Sequence, residues 1–450
     1  MIRKKVFSAL LCTSMLAAMF SACGGGSGTS SADSGSKETP ESSTAEDSSE
    51  KDSSTDSGSG DGAELSVLWF SDGGEGDSFQ ALADRYKEEQ PGVSVEMITV
   101  PYDELDNRTK NMLAANQAPS IIRQSNIGQY INQLVDLRDY AAAGDAFPDN
   151  FVEGGLPTEF SGKMIGAPND TTANGLIYNK TAFDKAGVEV PTTEDDIWTW
   201  DEFEEALKKV MADGDVQYGL VVDRTPQRFS TLMYQAGGSM LNEDRTAPNF
   251  DSPGTRKAIE WFKSLQDQDI VPDSVWLSSD DPNNLFRSGQ VACHLGGSWL
   301  ITNYIEQITD FEWGVAYMPY DSHRSSIPGG KYLAAFDGTG VEEEASLFIE
   351  WLSQPEINAE YCRDNYFISP VVGNEVLDYE SGAEFFEIFN NELAASTAIP
   401  GNEWMFQQFS TQIQNDMRDS LAEVIAGSKT VDEYVEEMTE KSEAALAALE

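Results

Sequence analysis

Two tryptophans beside glycines are the residues of this 450-residue chain that point most directly to chemistry, and the chemistry is noncovalent binding. Trp299 ends the segment GGSW after an apolar run, and Trp404 lies in IPGNEWMF. Glycine lets backbone approach a ligand closely, and an indole face can stack on the apolar C–H face of a sugar ring. Both side chains are also candidates for the core. Trp200 and Trp261 lie within helical patterns, which favours the core for those two.

The sequence holds no motif of a common enzyme class. It contains no GxSxG elbow, no HExxH, no P-loop and no GxGxxG that opens a helix after a strand. Glycoside hydrolysis stays open because it needs two carboxylates and aromatic subsites, although 77 acidic residues make a chance pair nearly certain. We therefore expect no catalytic residue and no enzyme activity.

Metal and cofactor sites are not expected either. His294 and His323 are the chain's histidines, and neither has a Cys/His spacing suited to zinc. No EF-hand loop spacing is present. Cys293 and Cys362, the two cysteines beyond the first 23 residues, are read as small buried side chains rather than as a disulfide.

Strand and helix patterns alternate from residue 64 onward. ELSVLWF (64–70), GVSVEMITV and PSIIRQ read as strands, with helical patterns between them. This order predicts an α/β fold with a parallel sheet and helices on both faces. Ligands of such sheets meet the loops after the carboxyl ends of the strands, which here are 71–76, 101–104 and 124–129.

A second α/β unit begins near GLIYN (175–179). The spacing of Thr199 and Glu202 predicts a capping box, and so does that of Thr430 and Glu433 at the C-terminal helix. Ser252 is predicted to cap the helix that opens at Pro253. VACHLGG and EWGVAYMP read as further strands.

The first 63 residues read as export and tethering segments. Three cations in MIRKK precede an apolar run from Val6 to Ala22, which favours a cleaved signal peptide (1–22) over a permanent membrane span. FSAC resembles the lipobox of bacterial lipoproteins, so Cys23 is expected to carry lipid. Residues 23–63 are rich in Gly, Ser and acids and predict a disordered, self-repelling linker. We expect a lipid-anchored protein on the extracellular face of the cell membrane.

The remainder of the chain is strongly acidic. The whole sequence has a formal net charge of −48, of which about −43 falls after residue 64. A field of that sign argues against nucleic acid and against anionic lipid headgroups as partners. It says little about a neutral ligand.

Several separated segments together resemble the extracellular solute-binding proteins of ABC importers, in the group that binds sugars and oligosaccharides and includes maltose-binding proteins. The segments are GKMIGAPNDTTANGLIYNKTAFDKAGVEVP with WTWDEF, LFRSGQVACHLGGSW, EWGVAYMP with IPGGKYLAAF, FIEWLSQPEINAEYCRDNYFISPV, and AGSKTVDEYVEE. The resemblance implies a type II periplasmic-binding-protein fold, in which two α/β lobes joined by hinge crossovers close on a ligand in the cleft between them.

The implied crossings lie near Asp170–Asn174, Gly329–Lys331 and Ser369–Val372. Lobe 1 would hold 64–171 plus 330–368, and lobe 2 would hold 172–329 plus 369–450. The implied partners are a sugar or oligosaccharide and the transmembrane subunits of a permease, and a monomer is expected.

The resemblance also implies cleft residues by position. Trp299 matches the aromatic platform of the group, and the other positions fall in loops and crossovers that often carry ligand-binding side chains. The complete set is Ser71, Asp72, Glu75, Ser125, Asn126, Asp170, Thr172, Gln227, Arg228, Phe229, Trp299 and Trp404.

Three alternatives stay open. A non-sugar solute such as a polyamine or cationic peptide would suit the acidic field but needs carboxylates that converge in the cleft. An exported glycosidase would release products from an oligosaccharide. A surface scaffold would have no small ligand at all.

Overall fold

The computed structural model describes residues 62–70, 75–101, 104–152, 162–374 and 377–449. They belong to a compact unit that spans Ser59–Glu450. The predicted signal peptide, Cys23, most of the linker, and two of the expected cleft residues, Ser71 and Asp72, lie outside the described residues.

Lobe 1 is built on a five-stranded sheet. Its strands are β1 (Ala63–Trp69), β2 (Val93–Thr99), β3 (Ile121–Gln124), β4 (Ala167–Thr172) and β9 (Gly329–Ala335), in the order β2-β1-β3-β9-β4. The first three run parallel, as the βαβαβ pattern predicts, whereas β9 is antiparallel to both β3 and β4. A strand from far along the chain therefore completes this sheet.

Lobe 2 is built on a four-stranded sheet of mixed direction. Its strands are β5 (Asn174–Asn179), β6 (Tyr218–Val222), β7 (Val291–Gly297) and β8 (Trp313–Ala316), in the order β6-β7-β5-β8. β6 and β7 run parallel, while β5 is antiparallel to both β7 and β8. The carboxyl ends of β6 and β7 therefore lie at one edge of the sheet.

Fifteen α-helices surround the two sheets in the described part of the chain. Those of lobe 1 are α1 (Glu75–Glu89), α2 (Leu105–Ala114), α10 (Glu342–Leu352) and α11 (Pro355–Asp364). Those of lobe 2 are α3 (Lys180–Ala186), α4 (Trp200–Asp213), α5 (Pro226–Gln235), α6 (Pro253–Asp267), α7 (Ser274–Leu277), α8 (Pro282–Arg287), α9 (Ile301–Gln307), α12 (Ala383–Ala395), α13 (Ala398–Met405), α14 (Gln407–Ile425) and α15 (Val431–Ala447).

The helix starts follow the local chemistry of the sequence. Both predicted capping boxes are present, at Thr199 with Glu202 and at Thr430 with Glu433. Ser252 accepts a hydrogen bond from the Thr255 amide at 3.1 Å and so caps α6. Each cap satisfies amides that the first turn of a helix leaves without partners.

Apolar residues of β1, together with Phe70 directly after it, point alternately to the two faces of the lobe 1 sheet. Leu65, Val67 and Trp69 pack with α1 and α10 on one face, whereas Leu68 and Phe70 pack on the other. Helices therefore cover both faces, as predicted. A third cluster fills lobe 2, where the rings of Trp200 and Trp261 stack with centroids 4.0 Å apart.

The chain passes between the two lobes at three places. A single residue, Ala173, separates β4 from β5, and residues 317–328 join β8 to β9. The third passage follows Val371, which packs in lobe 1, and precedes Tyr379, which packs in lobe 2. The exact lobe boundaries given above stay a prediction.

The two cysteines of the described residues are free and fully buried. Cys293 lies in β7 and Cys362 in α11. Within the described ranges, no helix has the length and apolar character needed to cross a membrane.

Candidate functional site

A cavity of about 370 Å³ lies where the two sheets meet. Its wall combines residues of both lobes with the β8–β9 connection and the start of α14. The lining residues are Phe70, Ser125, Thr172, Asn174, Asp223, Thr225, Gln227, Arg228, Trp299, Ile327, Pro328, Gly329, Gly330, Lys331, Tyr332, Trp404, Met405 and Gln407.

The cavity collects six of the twelve cleft residues named from the sequence. They come from the loop after β3, the end of β4, the first turn of α5, the segment after β7, and α13. These residues are Ser125, Thr172, Gln227, Arg228, Trp299 and Trp404.

Four of the other expected residues lie elsewhere. Phe229 is fully buried in the lobe 2 core, with its ring centroid 6.0 Å from that of Phe262. It is therefore a core residue and not the cleft residue expected from the sequence. Asn126 lines a neighbouring cavity. Glu75 and Asp170 are buried in lobe 1 and face a cation instead of the cavity space.

Arg228 covers the expected aromatic platform. The guanidinium carbon of Arg228 lies 4.1 Å from the centroid of the Trp299 ring. On the backbone side the indole packs so closely on Gly297 that a Cβ there would lie 1.8 Å from Cζ3 of the ring. A cation over an aromatic face is favourable, so Trp299 presents to the cavity only the part of its ring that Arg228 leaves open.

Asp223 anchors the guanidinium. It directly follows β6, and its Oδ2 lies 3.4 Å from Nε of Arg228. The Asn174 side-chain oxygen accepts a second hydrogen bond from Nη1 of Arg228 at 2.6 Å. Although burial opposes ionisation, the neighbouring His294 and Arg228 hold the pKa of Asp223 below its ordinary value. Burial lowers the pKa of Arg228.

A buried ion cluster supports the lobe 1 side of the cavity. Nη2 of Arg123 donates to Oδ2 of Asp170 at 3.0 Å, and its Nη1 lies 3.5 Å from Glu75. Lys331, which lines the cavity, places its Nζ 3.9 Å from Oδ1 of Asp170. The cluster thus contains two cations and two carboxylates, so its formal charges cancel.

A second cavity of about 260 Å³ adjoins the first. Ser125, Gln227, Trp404 and Gln407 line both, and the second also contains Asp106. Gln407 spans the boundary, because its Nε2 donates to the Ser125 carbonyl at 2.7 Å and its Oε1 accepts from the Gly128 amide at 2.9 Å. Asn126 donates to the Thr411 hydroxyl at 2.5 Å. The start of α14 is therefore bonded to the loop after β3.

Sequence reasoning missed several lining residues. Asp223 could have been found, since it follows the strand YGLVV at its carboxyl end, where ligands of α/β sheets bind. Asn174 and Lys331 lie at predicted crossings but had not been singled out. Gln407 carries no local signal, because it reaches the cavity only through tertiary packing of α14.

A two-lobed α/β fold with a polar cavity at its crossings defines a ligand-binding protein whose site lies between the lobes. The chain belongs to the bacterial extracellular solute-binding protein family, which it matches over residues 81–377. Within the described residues no group of three or more His, Cys, Asp or Glu is arranged to hold a metal ion.

Known proteins similar to the chain carry related descriptions. A binding protein of Brucella abortus is 26% identical over 335 residues, covering 72% of this chain and 78% of the other. An sn-glycerol-3-phosphate-binding periplasmic protein of Pectobacterium atrosepticum is 24% identical over 427 residues, covering 85% and 91%.

The similarity extends to solved structures. An ABC substrate-binding protein from Listeria monocytogenes, in complex with cycloalternan, aligns with a TM-score of 0.75 and 22% identity. The alignment covers 86% of this chain and all of the Listeria chain. At that identity the likeness establishes the two-lobe fold.

Proposed function

We propose that this protein captures a neutral sugar or oligosaccharide outside the cell and delivers it, unchanged, to the transmembrane subunits of an ABC importer. The observation that carries the proposal is the chemistry of the cavity wall, in which hydroxyls and amides surround two tryptophans and each charged side chain has an oppositely charged partner in the wall or buried behind it.

The uncharged polar groups of the wall suit a polyhydroxyl ligand. They are the side chains of Ser125, Thr172, Asn174, Thr225, Gln227 and Gln407. Hydroxyls and amides both donate and accept hydrogen bonds, as sugar hydroxyls do. Trp299 and Trp404 add aromatic surface, which suits the apolar C–H faces of sugar rings.

The charge balance argues for a neutral ligand. Arg228 is paired with Asp223, and Lys331 lies beside Asp170. A polyamine or cationic peptide would need carboxylates in excess, and a phosphate such as that bound by the Pectobacterium relative would need cations in excess. The complex of the Listeria neighbour with cycloalternan agrees with the preference for a sugar.

Binding is proposed to work by closure of the lobes. Ser125 and Tyr332 belong to lobe 1, and Asp223 and Trp299 to lobe 2, so one ligand can contact both. A ligand shifts an equilibrium between open and closed forms only as far as it binds the closed form better. The closed form would then present both lobes to the permease.

Attachment to the membrane is part of the proposal. Lipid on Cys23 and the linker 23–63 would keep a monomeric protein close to its permease and raise its effective concentration there. The acidic, glycine- and serine-rich composition of the linker supports this arrangement.

A glycosidase is the weaker candidate. Retaining and inverting enzymes both need two carboxyl groups at the scissile bond, and one must act as an acid. Of the described residues that line the main cavity, Asp223 is the one carboxylate, and its two oxygens already face His294 and Arg228. Its lowered pKa also makes it a poor proton donor.

The test is a titration of the unit Ser59–Glu450 with saccharides of increasing length, followed by tryptophan emission and calorimetry. We expect saturable binding, recovery of the intact saccharide, and weaker binding by Trp404→Ala. Trp261→Ala is the matched control, since that tryptophan stacks on Trp200 and lies outside the cavity lining. Saturable binding of a charged solute with no response to any saccharide would contradict the proposal.

A further inference from the structure

His294 is a buried histidine that takes no part in the ligand binding described above. It lies in β7, is fully buried, and does not line the cavity. Its neighbours in the strand, Cys293 and Leu295, are apolar and buried. A buried imidazole costs free energy relative to an apolar side chain unless its polar atoms are bonded, so its partners are informative.

Both ring nitrogens of His294 have partners. Nε2 lies 2.7 Å from Oδ1 of Asp223, and Nδ1 lies 2.7 Å from the hydroxyl of Tyr304. An ionised carboxylate only accepts hydrogen bonds, so Nε2 carries a hydrogen and donates it to Asp223. The Tyr304 hydroxyl also lies 3.2 Å from the side-chain oxygen of Asn283. The imidazole is therefore held from both sides.

The hydrogen bonds continue from Asp223 to the cavity. One carboxylate oxygen faces His294 and the other faces Nε of Arg228. The Asp223 carboxylate thus connects the imidazole to the guanidinium that lies above Trp299. The order His294, Asp223, Arg228 leads from the buried strand to the cavity wall.

The guanidinium has donors left for a ligand. Arginine carries five N–H donors in a rigid plane. Nε faces Asp223 and Nη1 donates to Asn174, while the side chain is 12% exposed and lines the cavity. A ligand that approaches Trp299 from the cavity meets these remaining donors.

We propose that His294 is a positioning residue for ligand recognition, which acts through Asp223 to hold Arg228 over Trp299. The inference rests on the proposed function and deepens it. The saccharide it selects places acceptor oxygens, from hydroxyls or ring oxygens, against the guanidinium, beside the part of the Trp299 ring that Arg228 leaves open.

The first test needs no ligand. A guanidinium held this way gives a slowly exchanging Nε–H signal in nitrogen-15 NMR spectra, assigned by its absence in Arg228→Lys. We expect the signal to persist in His294→Gln, whose amide can still donate to Asp223, and to be lost in His294→Met, which has similar volume and no donor. Loss of the signal in neither variant, or equal loss in both correctly folded variants, would overturn the proposal.

The second test uses cycloalternan as the probe in calorimetry of the whole protein. We expect His294→Met to weaken binding about tenfold and His294→Gln to restore most of it, since a hydrogen bond to a charged group has about that effect. Combining His294→Met with Arg228→Lys should weaken binding no further than Arg228→Lys alone, because both changes interrupt one chain of contacts. Additive losses would show that His294 acts independently of Arg228.

A third variant covers failure of His294→Met to fold. Asp223→Asn removes the charge between the two residues while keeping the shape, and it is expected to lose the same Nε–H signal. Persistence of the signal in Asp223→Asn would overturn the proposal. If the wild-type protein ignores cycloalternan and every other saccharide, the proposed function fails, whereas the NMR comparison still decides whether His294 positions Arg228.

Discussion

Gln407 is hydrogen-bonded to the backbone of the Ser125 loop on the opposite side of the cavity. Its amide nitrogen lies 2.7 Å from the Ser125 carbonyl oxygen, and its carbonyl oxygen lies 2.9 Å from the Gly128 amide. Gln407 opens α14, which packs on α5 and α6 of lobe 2, whereas Ser125 follows β3 of lobe 1. The two lobes are thus joined by protein groups as well as by any ligand between them.

Replacement of Gln407 by Ala is expected to favour the open form of the ligand-free protein. Two hydrogen bonds would be lost. Each has a net effect of about 1 kcal/mol, which is roughly a fivefold shift in the equilibrium between the open and closed forms. Small-angle scattering should report a larger radius of gyration without ligand. Gln412→Ala, an exposed change on the same helix, is the control. Equal radii for both variants and the wild type would show that the Gln407 contacts do not hold the lobes together.

Replacement of Arg123 by Met is expected to destabilise the protein by about 3–5 kcal/mol, because it leaves the buried carboxylates of Glu75 and Asp170 without the cation between them. Urea unfolding followed by circular dichroism measures this loss. Arg85→Met is the matched control, since Arg85 pairs with Glu360 at 2.9 Å with the two side chains 36% and 41% exposed, and surface pairs contribute about 0–1 kcal/mol. A similar small loss for both variants would contradict the structural importance of the buried cluster.

Two buried glutamates are expected to make the protein less stable as pH rises. Burial raises the pKa of Glu403 and that of Glu392 from 4.5 to about 7. Between those values the folded chain binds more protons than the unfolded chain, so this stabilisation is complete below about pH 4.5 and is lost as pH rises through about 7. The shift corresponds to at most about 3 kcal/mol for each group.

The measurement is the urea midpoint of unfolding at pH 5 and at pH 8. Glu403→Gln cannot titrate and should show a smaller difference between the two conditions, whatever its absolute stability. Glu387→Gln, at an exposed position of α12, should keep the difference of the wild type. A wild-type protein with equal midpoints at both conditions would be evidence against the raised pKa values.

Replacement of Gly297 by Ala is expected to displace Trp299 and weaken saccharide binding. The added Cβ would lie 1.8 Å from the indole and 2.5 Å from the Ala173 carbonyl oxygen, so the ring or the backbone must move. Overpacking of this kind costs about 1–3 kcal/mol of stability. Thermal unfolding and the saccharide titration together report both effects. Gly401→Ala, whose Cβ would meet Pro328 at 3.4 Å, has room and should be neutral or slightly stabilising.

Local signals predicted the helix starts and the order of β1–β3, because caps and strand periodicity act within a few residues. The caps at Thr199, Ser252 and Thr430 are present as predicted. The antiparallel position of β9 in the lobe 1 sheet could not be predicted from the residues around it, since its partners β3 and β4 are more than 150 residues away. Its place in the sheet depends on tertiary packing.

The candidate site was predicted only in part for the same reason. Gln227 and Arg228 reach the cavity from the first turn of α5, but Phe229 lies about 100° further around the helix and enters the core. The pattern QRF predicted the correct segment of the chain, but it did not show which of its side chains face the cavity and which face the core. The covering of Trp299 by Arg228 also had no sequence signal, because it depends on the contact of two lobe 2 segments.

The passage from β4 to β5 through Ala173 limits how the protein can move. The Ala173 amide donates to the Ser298 hydroxyl at 3.2 Å and its carbonyl accepts from the Ser298 amide at 2.9 Å, which ties this residue to lobe 2. We therefore expect backbone rotation at this passage to occur mainly at Thr172, the residue before Ala173. Thr172 also lines the cavity, so a ligand that contacts Thr172 contacts the residue at which the lobes are expected to rotate.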